Sequence, residues 1–270
     1  ALECIPMLKR SDIKREAAKI INEELTVDDS LFLYHDVCTN GIGYVDLMFK
    51  TDSIAPEQIP YLGLLKSVLG YVDTENYTYG ELFNEINANT GGINCGVEVF
   101  DRADSTEEFQ AMFSVRGKAL YTKMDFLFKM IGEILNSSKL EDTKRLYEIV
   151  ASVKSRAQVN LTGAGHSTAV LRAAAYSSPM AAFQDEMAGI GYYQFIEKLE
   201  KDFEQRKEET VEELCKLMKK ILRPENFMIS YTGERESLET VQKLAGAVKA
   251  GLGTEPVEKS LSLIHISEPT

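Results

Sequence analysis

The sequence predicts an α+β domain in which a largely antiparallel sheet is covered on one side by helices, with a helical linker ahead of it. Three observations carry this reading. Several short stretches alternate apolar and polar residues with a period of two. Longer stretches repeat apolar residues every three or four positions. Strands and helices also come in groups rather than in regular alternation, which points away from a parallel β/α sheet.

The elements follow in chain order. Residues 1–24 are charged and helix-prone beyond Pro6, and Ser11 or Asp12 stands where a cap would start a helix through Glu16 and Ile20. We read this segment as a linker before a domain over residues 25–252. Residues 31–37 and 43–50 read as two strands joined by Asn40-Gly41, a hairpin-type turn, with Val45, Leu47 and Phe49 alternating against Asp46, Met48 and Lys50. Pro56 and Pro60 open a helix towards Tyr71, since proline is tolerated in a first turn. A second helix starts near Tyr79, runs to Asn87 and stops at Gly91-Gly92. Ile93, Cys95, Val97 and Val99 mark the next strand. Phe109, Ala111, Phe113 and Val115 mark another, opposite Gln110, Ser114 and Arg116. The period then becomes helical through Phe126, Met130 and Ile134, and again through Leu146, Ile149, Val150 and Val153. Gly163 to His166 interrupts that run and Pro179 breaks it, after which helices are expected over 181–203 and 207–222. Phe227, Ile229 and Tyr231 form a last strand ending at Gly233, and Glu236 to Ala250 a last helix.

Composition narrows the function classes. The chain has 270 residues, 44% of them hydrophobic, enough to bury a core. A net charge of −12 argues against nucleic acid or an anionic membrane surface as the main partner. No apolar run reaches the roughly 18 residues that span a bilayer. Four irregularly spaced cysteines without a CxxC pair fit neither a zinc knuckle nor a disulfide scaffold, so reduced thiols and a cytoplasmic setting are expected. The tail from residue 253 is set apart. Within it Leu261 to Thr270, LSLIHISEPT, back-translates to CTG TCT CTT ATA CAC ATC TCC GAG CCC ACG, which resembles a transposon-based sequencing-library adapter. We therefore treat 261–270 as an artefact, exclude His265 from any site, and expect both ends of the parent protein to lie outside this chain.

Metal and nucleophile patterns are missing. A zincin helix needs two histidines one turn apart and a glutamate to work the water. The remaining histidines, His35 and His166, are distant in sequence, so neither HExxH nor HxxEH is present, and no metal site or cofactor of its own is expected. Cys38 lies near His35, but positions i and i+3 of a strand point to opposite faces. Cys95 falls on the buried face of its strand. Thr162 to His166 lacks the third glycine of a dinucleotide loop and the Lys-Ser/Thr ending of a P-loop. No catalytic residue is assigned.

Tyr61 to Val99, YLGLLKSVLGYVDTENYTYGELFNEINANTGGINCGVEV, resembles the core of an insulinase/pitrilysin-family (peptidase family M16) domain, in which an HxxEH helix, a short loop, a helix ending in Gly-Gly and a sheet strand follow one another. On that resemblance Gly63 stands at the first histidine, Lys66 at the glutamate and Ser67 at the second histidine. Cys4 to Ile13 resembles the linker preceding the C-terminal half in the presequence protease-like branch, and the stretch from Gly165-His-Ser-Thr-Ala to Glu186-Met-Ala-Gly-Ile-Gly191 also resembles that branch. The resemblance implies a piece of the half without zinc, inactive by itself. The parent would be a zinc metalloendopeptidase that degrades unfolded peptides in a closed chamber, with the catalytic N-terminal half of the same polypeptide as partner. Peptide substrate would touch the strand after Gly91-Gly92, at Asn94 and Cys95, by adding to a sheet edge. An alternative is a stand-alone binding or scaffold domain of the same fold.

Overall fold

The computed structural model describes residues 9–13, 16, 19, 22–101, 104, 105 and 108–255. Its strands are β1 (Glu23–Val27), β2 (Ser30–Asp36), β3 (Ile42–Lys50), β4 (Ile93–Asp101), β5 (Phe109–Leu120) and β6 (Phe227–Gly233). They form one sheet in the order β1-β2-β6-β3-β5-β4. Adjacent strands are antiparallel except β2 and β6, which run parallel. The helices are α1 (Ile59–Val68), α2 (Tyr79–Asn89), α3 (Met124–Ser137), α4 (Thr143–Gly163), α5 (Gly165–Ala174), α6 (Pro179–Ala188), α7 (Ile190–Lys201), α8 (Phe203–Ile221) and α9 (Leu238–Ala250). The tail 256–270 lies outside the described residues, as does most of the 1–24 linker. Within that linker Arg10–Asp12 forms a short 3-10 turn, and Glu23 and Glu24 already belong to β1.

Register explains the two faces. It lines up Phe32, Ile229, Leu47, Val115 and Cys95 in one row, and Tyr34, Tyr231, Val45, Gly117 and Ile93 in the next. These rows are the core side. Leu127 of α3 comes so close to Gly117 that an added Cβ would meet it at 2.6 Å, and Phe183 of α6 packs on Phe109 with ring centroids 5.5 Å apart. The intervening residues form the second face. One row there is Leu33, Ser230, Asp46, Arg116 and Asn94, where Arg116 pairs with Asp46 at 2.7 Å and with Glu98 at 3.1 Å. The sheet is largely antiparallel, with its helices on one side, as the patterning predicts.

Three local expectations need correction. The sequence pattern does not announce β1; this strand pairs with β2 through Asp28 (φ 46°) and Asp29 (φ 64°), a turn that two acidic residues form because their short side chains tolerate left-handed backbone. The stretch 181–203 is not one helix but two, broken at Gly189. Most important, β2 and β3 are not a hairpin. Asn40 (φ 53°) and Gly41 (φ 81°) do adopt the left-handed turn they signal, but β6 inserts between the two strands.

The loop that straddles β6 has no ladder partner of its own, and Glu234, just past β6, supplies one. Its carboxylate accepts from the backbone N–H groups of Thr39 (3.0 Å), Asn40 (3.1 Å) and Gly41 (3.3 Å) and from the Tyr121 hydroxyl. The Tyr121 bond first, and then the Thr39 and Gly41 amides with the Cys38 thiol, hold its pKa at about 2, well below the ordinary 4.5. A depressed carboxylate pKa stabilises the fold fully above the unfolded value and loses that contribution as pH falls towards the folded one. Glu234→Gln is therefore expected to have a lower urea midpoint than the parent at pH 7, and the gap should narrow between pH 4.5 and 2. A gap that stays constant with pH would show that the charge has no part in closing the loop.

Candidate functional site

Among the described residues β4 is the last strand of the sheet, so one side of its backbone has no neighbouring strand there, and every second residue turns its N–H and C=O outward. Beside that edge lies a cavity of about 570 Å³ between the C-terminal turn of α1, α2 and residues 92–98. Local sequence builds each wall. α1 begins with Pro60 in its first turn and is buried nearly all round; Lys66 and Ser67 alone in it reach partial exposure, and both line the cavity. α2 is fixed at its start by a reciprocal capping box, Glu81 N–H donating to Thr78 Oγ1 and Thr78 N–H to Glu81 Oε2. At its end Gly92, with φ 104°, turns the chain into β4 in a conformation that side chains disfavour, while Gly91 N–H donates to the Lys118 carbonyl at 2.8 Å.

Gly63 sits one turn behind Lys66 and is closed off. A Cβ there would meet the Met187 carbonyl oxygen at 2.5 Å and the Tyr192 ring at 2.7 Å. Both neighbours belong to the corner between α6 and α7, which Asp185 pins. Asp185, 1% exposed, pairs with Arg172 at 2.7 Å and accepts from the N–H groups of Ile190 (3.0 Å) and Gly191 (3.1 Å). The Tyr192 hydroxyl is buried without a hydrogen bond of normal length, although Ser67 lies close enough to temper the rise that burial imposes on its pKa. Ser67 Oγ itself reaches back to the Gly63 carbonyl at 3.5 Å, the limit of a hydrogen bond.

The cavity's charged groups are Lys66, Arg156 from α4 and Glu98. Burial lowers the Lys66 pKa, with Glu98 opposing. Glu98 is bound to Arg116 across the strand. Neither Lys66 nor Arg156 has an ion-pair partner among the described residues. The Cys95 thiol is enclosed on the core side, and burial pushes its pKa up to about 12, although its backbone lies along the open edge. Burial likewise raises Cys215. Neither is a thiolate nucleophile at neutral pH.

The structure thus brings Lys66, Ser67, Asn94 and Cys95 to one cavity and leaves Gly63 behind its wall, against Tyr192. Sequence reasoning missed Arg156 and Tyr192. For Tyr192 a signal existed, because a glycine inside a helix marks a close approach; for Arg156 there was none. An HxxEH-type zinc centre does not fit here: Lys66 brings a cation, Ser67 a weak ligand, and the Gly63 position has no room for an imidazole. Among the described residues no group of three or more His, Cys, Asp or Glu side chains could hold a metal ion. None of the described helices is long and apolar enough to cross a membrane. His35 faces Ser230 Oγ at 3.3 Å on the second face of the sheet, and His166 is exposed at the start of α5.

The chain and its fold have known relatives. A family model for the associated region of the M16 peptidases, subfamily C, matches residues 1–199. Protein HypA of Clostridium perfringens is 36% identical over 242 residues, 90% of this chain and 25% of that protein. Presequence protease 1 (chloroplastic/mitochondrial) of Arabidopsis thaliana is 27% identical over 90% of this chain and 22% of its own length. The chain thus spans about a quarter of the length of the curated relatives it matches. The fold is similar to a peptidase M16 inactive domain from Pseudomonas fluorescens (TM-score 0.58, 14% identity, covering 89% of this chain and 53% of that one). It is also similar to a protease from Helicobacter pylori (TM-score 0.62, 16% identity, 93% and 55%).

Proposed function

Because the chain belongs to the peptidase-associated family of M16 subfamily C, we propose that it is a non-catalytic, peptide-holding part of a presequence protease-like zinc metalloendopeptidase. In this reading zinc and the cleaving groups lie in the catalytic half of the same polypeptide, and this domain walls the chamber in which unfolded peptides are held. One observation carries it: the free edge of β4 opens onto a cavity of about 570 Å³, where an extended peptide gains main-chain hydrogen bonds from the edge and side-chain contacts from α1 and α2. The relatives named as presequence proteases support the substrate class. The misfit of the Gly63, Lys66 and Ser67 positions with zinc supports the division of labour.

Hydrogen exchange tests the reading. Adding an unstructured peptide to the chain is expected to slow exchange of the outward amides of β4 and leave those of β1, the opposite edge, unchanged. Slowing at β1 with β4 unaffected would refute it.

A further inference from the structure

We propose that the β4 cavity is a carboxylate-binding pocket that takes the acid group of an extended peptide, with Lys66 and Arg156 as its receivers. This rests on the peptide-holding reading above and adds the chemistry of what is held. Across the whole chain acid outnumbers base, with a net charge of −12. The cavity reverses that balance, since its walls carry Lys66 and Arg156 against one acid, Glu98, which is engaged by Arg116 at 3.1 Å on the other face of β4.

Lys66 is the informative residue. It is the one charged side chain of α1, a helix otherwise buried along almost its whole length. An ammonium taken partly out of water with no ion-pair partner among the described residues is costly, and an apolar residue would pack there more cheaply. Its position is understandable if a ligand brings the missing charge. A hydroxyl donor stands alongside in Ser67, whose own bond to Gly63 is marginal at 3.5 Å. The apolar wall from Phe83 and Ile86 of α2 suits the side chain preceding the acid. The arrangement selects peptides that carry a negative group where they leave the strand edge, either a terminal α-carboxylate or an Asp or Glu side chain.

The test measures fluorescence anisotropy on the full chain with one short unstructured peptide, free of Asp and Glu, labelled at its N-terminus. It is made as the free acid, as the C-terminal amide, and as the amide with a single Glu added. At least one acid-bearing form is expected to bind about tenfold more tightly than the plain amide, the worth of a charge-assisted hydrogen bond. Which form gains identifies the source of the acid. Lys66→Met should reduce that form to the level of the amide, Arg156→Met should remove part of the gain, and Lys243→Met, exposed on α9, should leave it intact. Lys66→Met should melt at or above the parent temperature, since it removes an unpaired charge from the cavity wall. Equal binding of all three peptides overturns the proposal and leaves the chamber reading standing. Binding of none overturns both. A Lys66→Met that melts well below the parent assigns the lysine a structural role and also overturns it.

Discussion

Asp185→Ala is expected to cost about 3–5 kcal/mol of stability, the range for breaking a buried ion pair by removing one partner. The carboxylate is 1% exposed and satisfies three donors: the Arg172 guanidinium and the backbone N–H groups of Ile190 and Gly191. Removing it takes from the partly buried Arg172 one of its contacts and from two amides at the start of α7 their acceptor, and each uncompensated group costs its desolvation. A drop of roughly 10 °C in melting temperature corresponds to that range for a domain of this size. Asp185→Asn keeps the shape and one acceptor oxygen and should lose less. If alanine and asparagine are equally mild, within about 1 kcal/mol of the parent, the corner is not held by this residue.

Restoring the metal-binding pattern by Gly63→His, Lys66→Glu and Ser67→His together is expected to give a protein that takes up no stoichiometric zinc. The letters would then spell HxxEH, but the first imidazole has no volume to occupy: its Cβ alone would lie 2.5 Å from the Met187 carbonyl and 2.7 Å from the Tyr192 ring. Overpacking of this kind costs about 1–3 kcal/mol, so the triple variant should also be less stable than the parent. Adding Tyr192→Ala removes the ring but not the carbonyl, which the Asp185-pinned corner holds in place, so zinc should remain weakly bound. Metal analysis after dialysis reads the outcome directly. A ratio near one zinc per chain in the triple variant, with an unchanged melting temperature, would sink the steric argument.

How much of this was legible can be seen at particular residues. The run from α1 through α2 to β4 was readable because it is continuous in the chain. Its helix starts at a proline, its second helix stops at Gly91-Gly92, and its strand alternates. The same run supplied Lys66, Ser67, Asn94 and Cys95, and the structure sets all four around one cavity. The Asn40-Gly41 turn was also readable, yet its meaning was not. A left-handed pair reverses the chain but does not say whether a third strand lies inside the reversal, and β6 is far away in sequence.

By itself, then, the sequence determined the periods, the breaks and the lack of an HExxH or HxxEH pattern, because these depend on spacing along one chain. Tertiary structure alone decided three things: that β6 splits the expected hairpin, that Arg156 joins Lys66 at the β4 edge, and that Tyr192 and Met187 close the space at Gly63. The physical reason is common to all three. Each depends on surfaces from distant segments meeting at van der Waals distance, and local periodicity carries the hydrophobic face of an element without naming what will press against it. The α+β pattern visible at the start is therefore the scaffold. The filled position at Gly63 and the cationic cavity beside β4 come from how its helices pack.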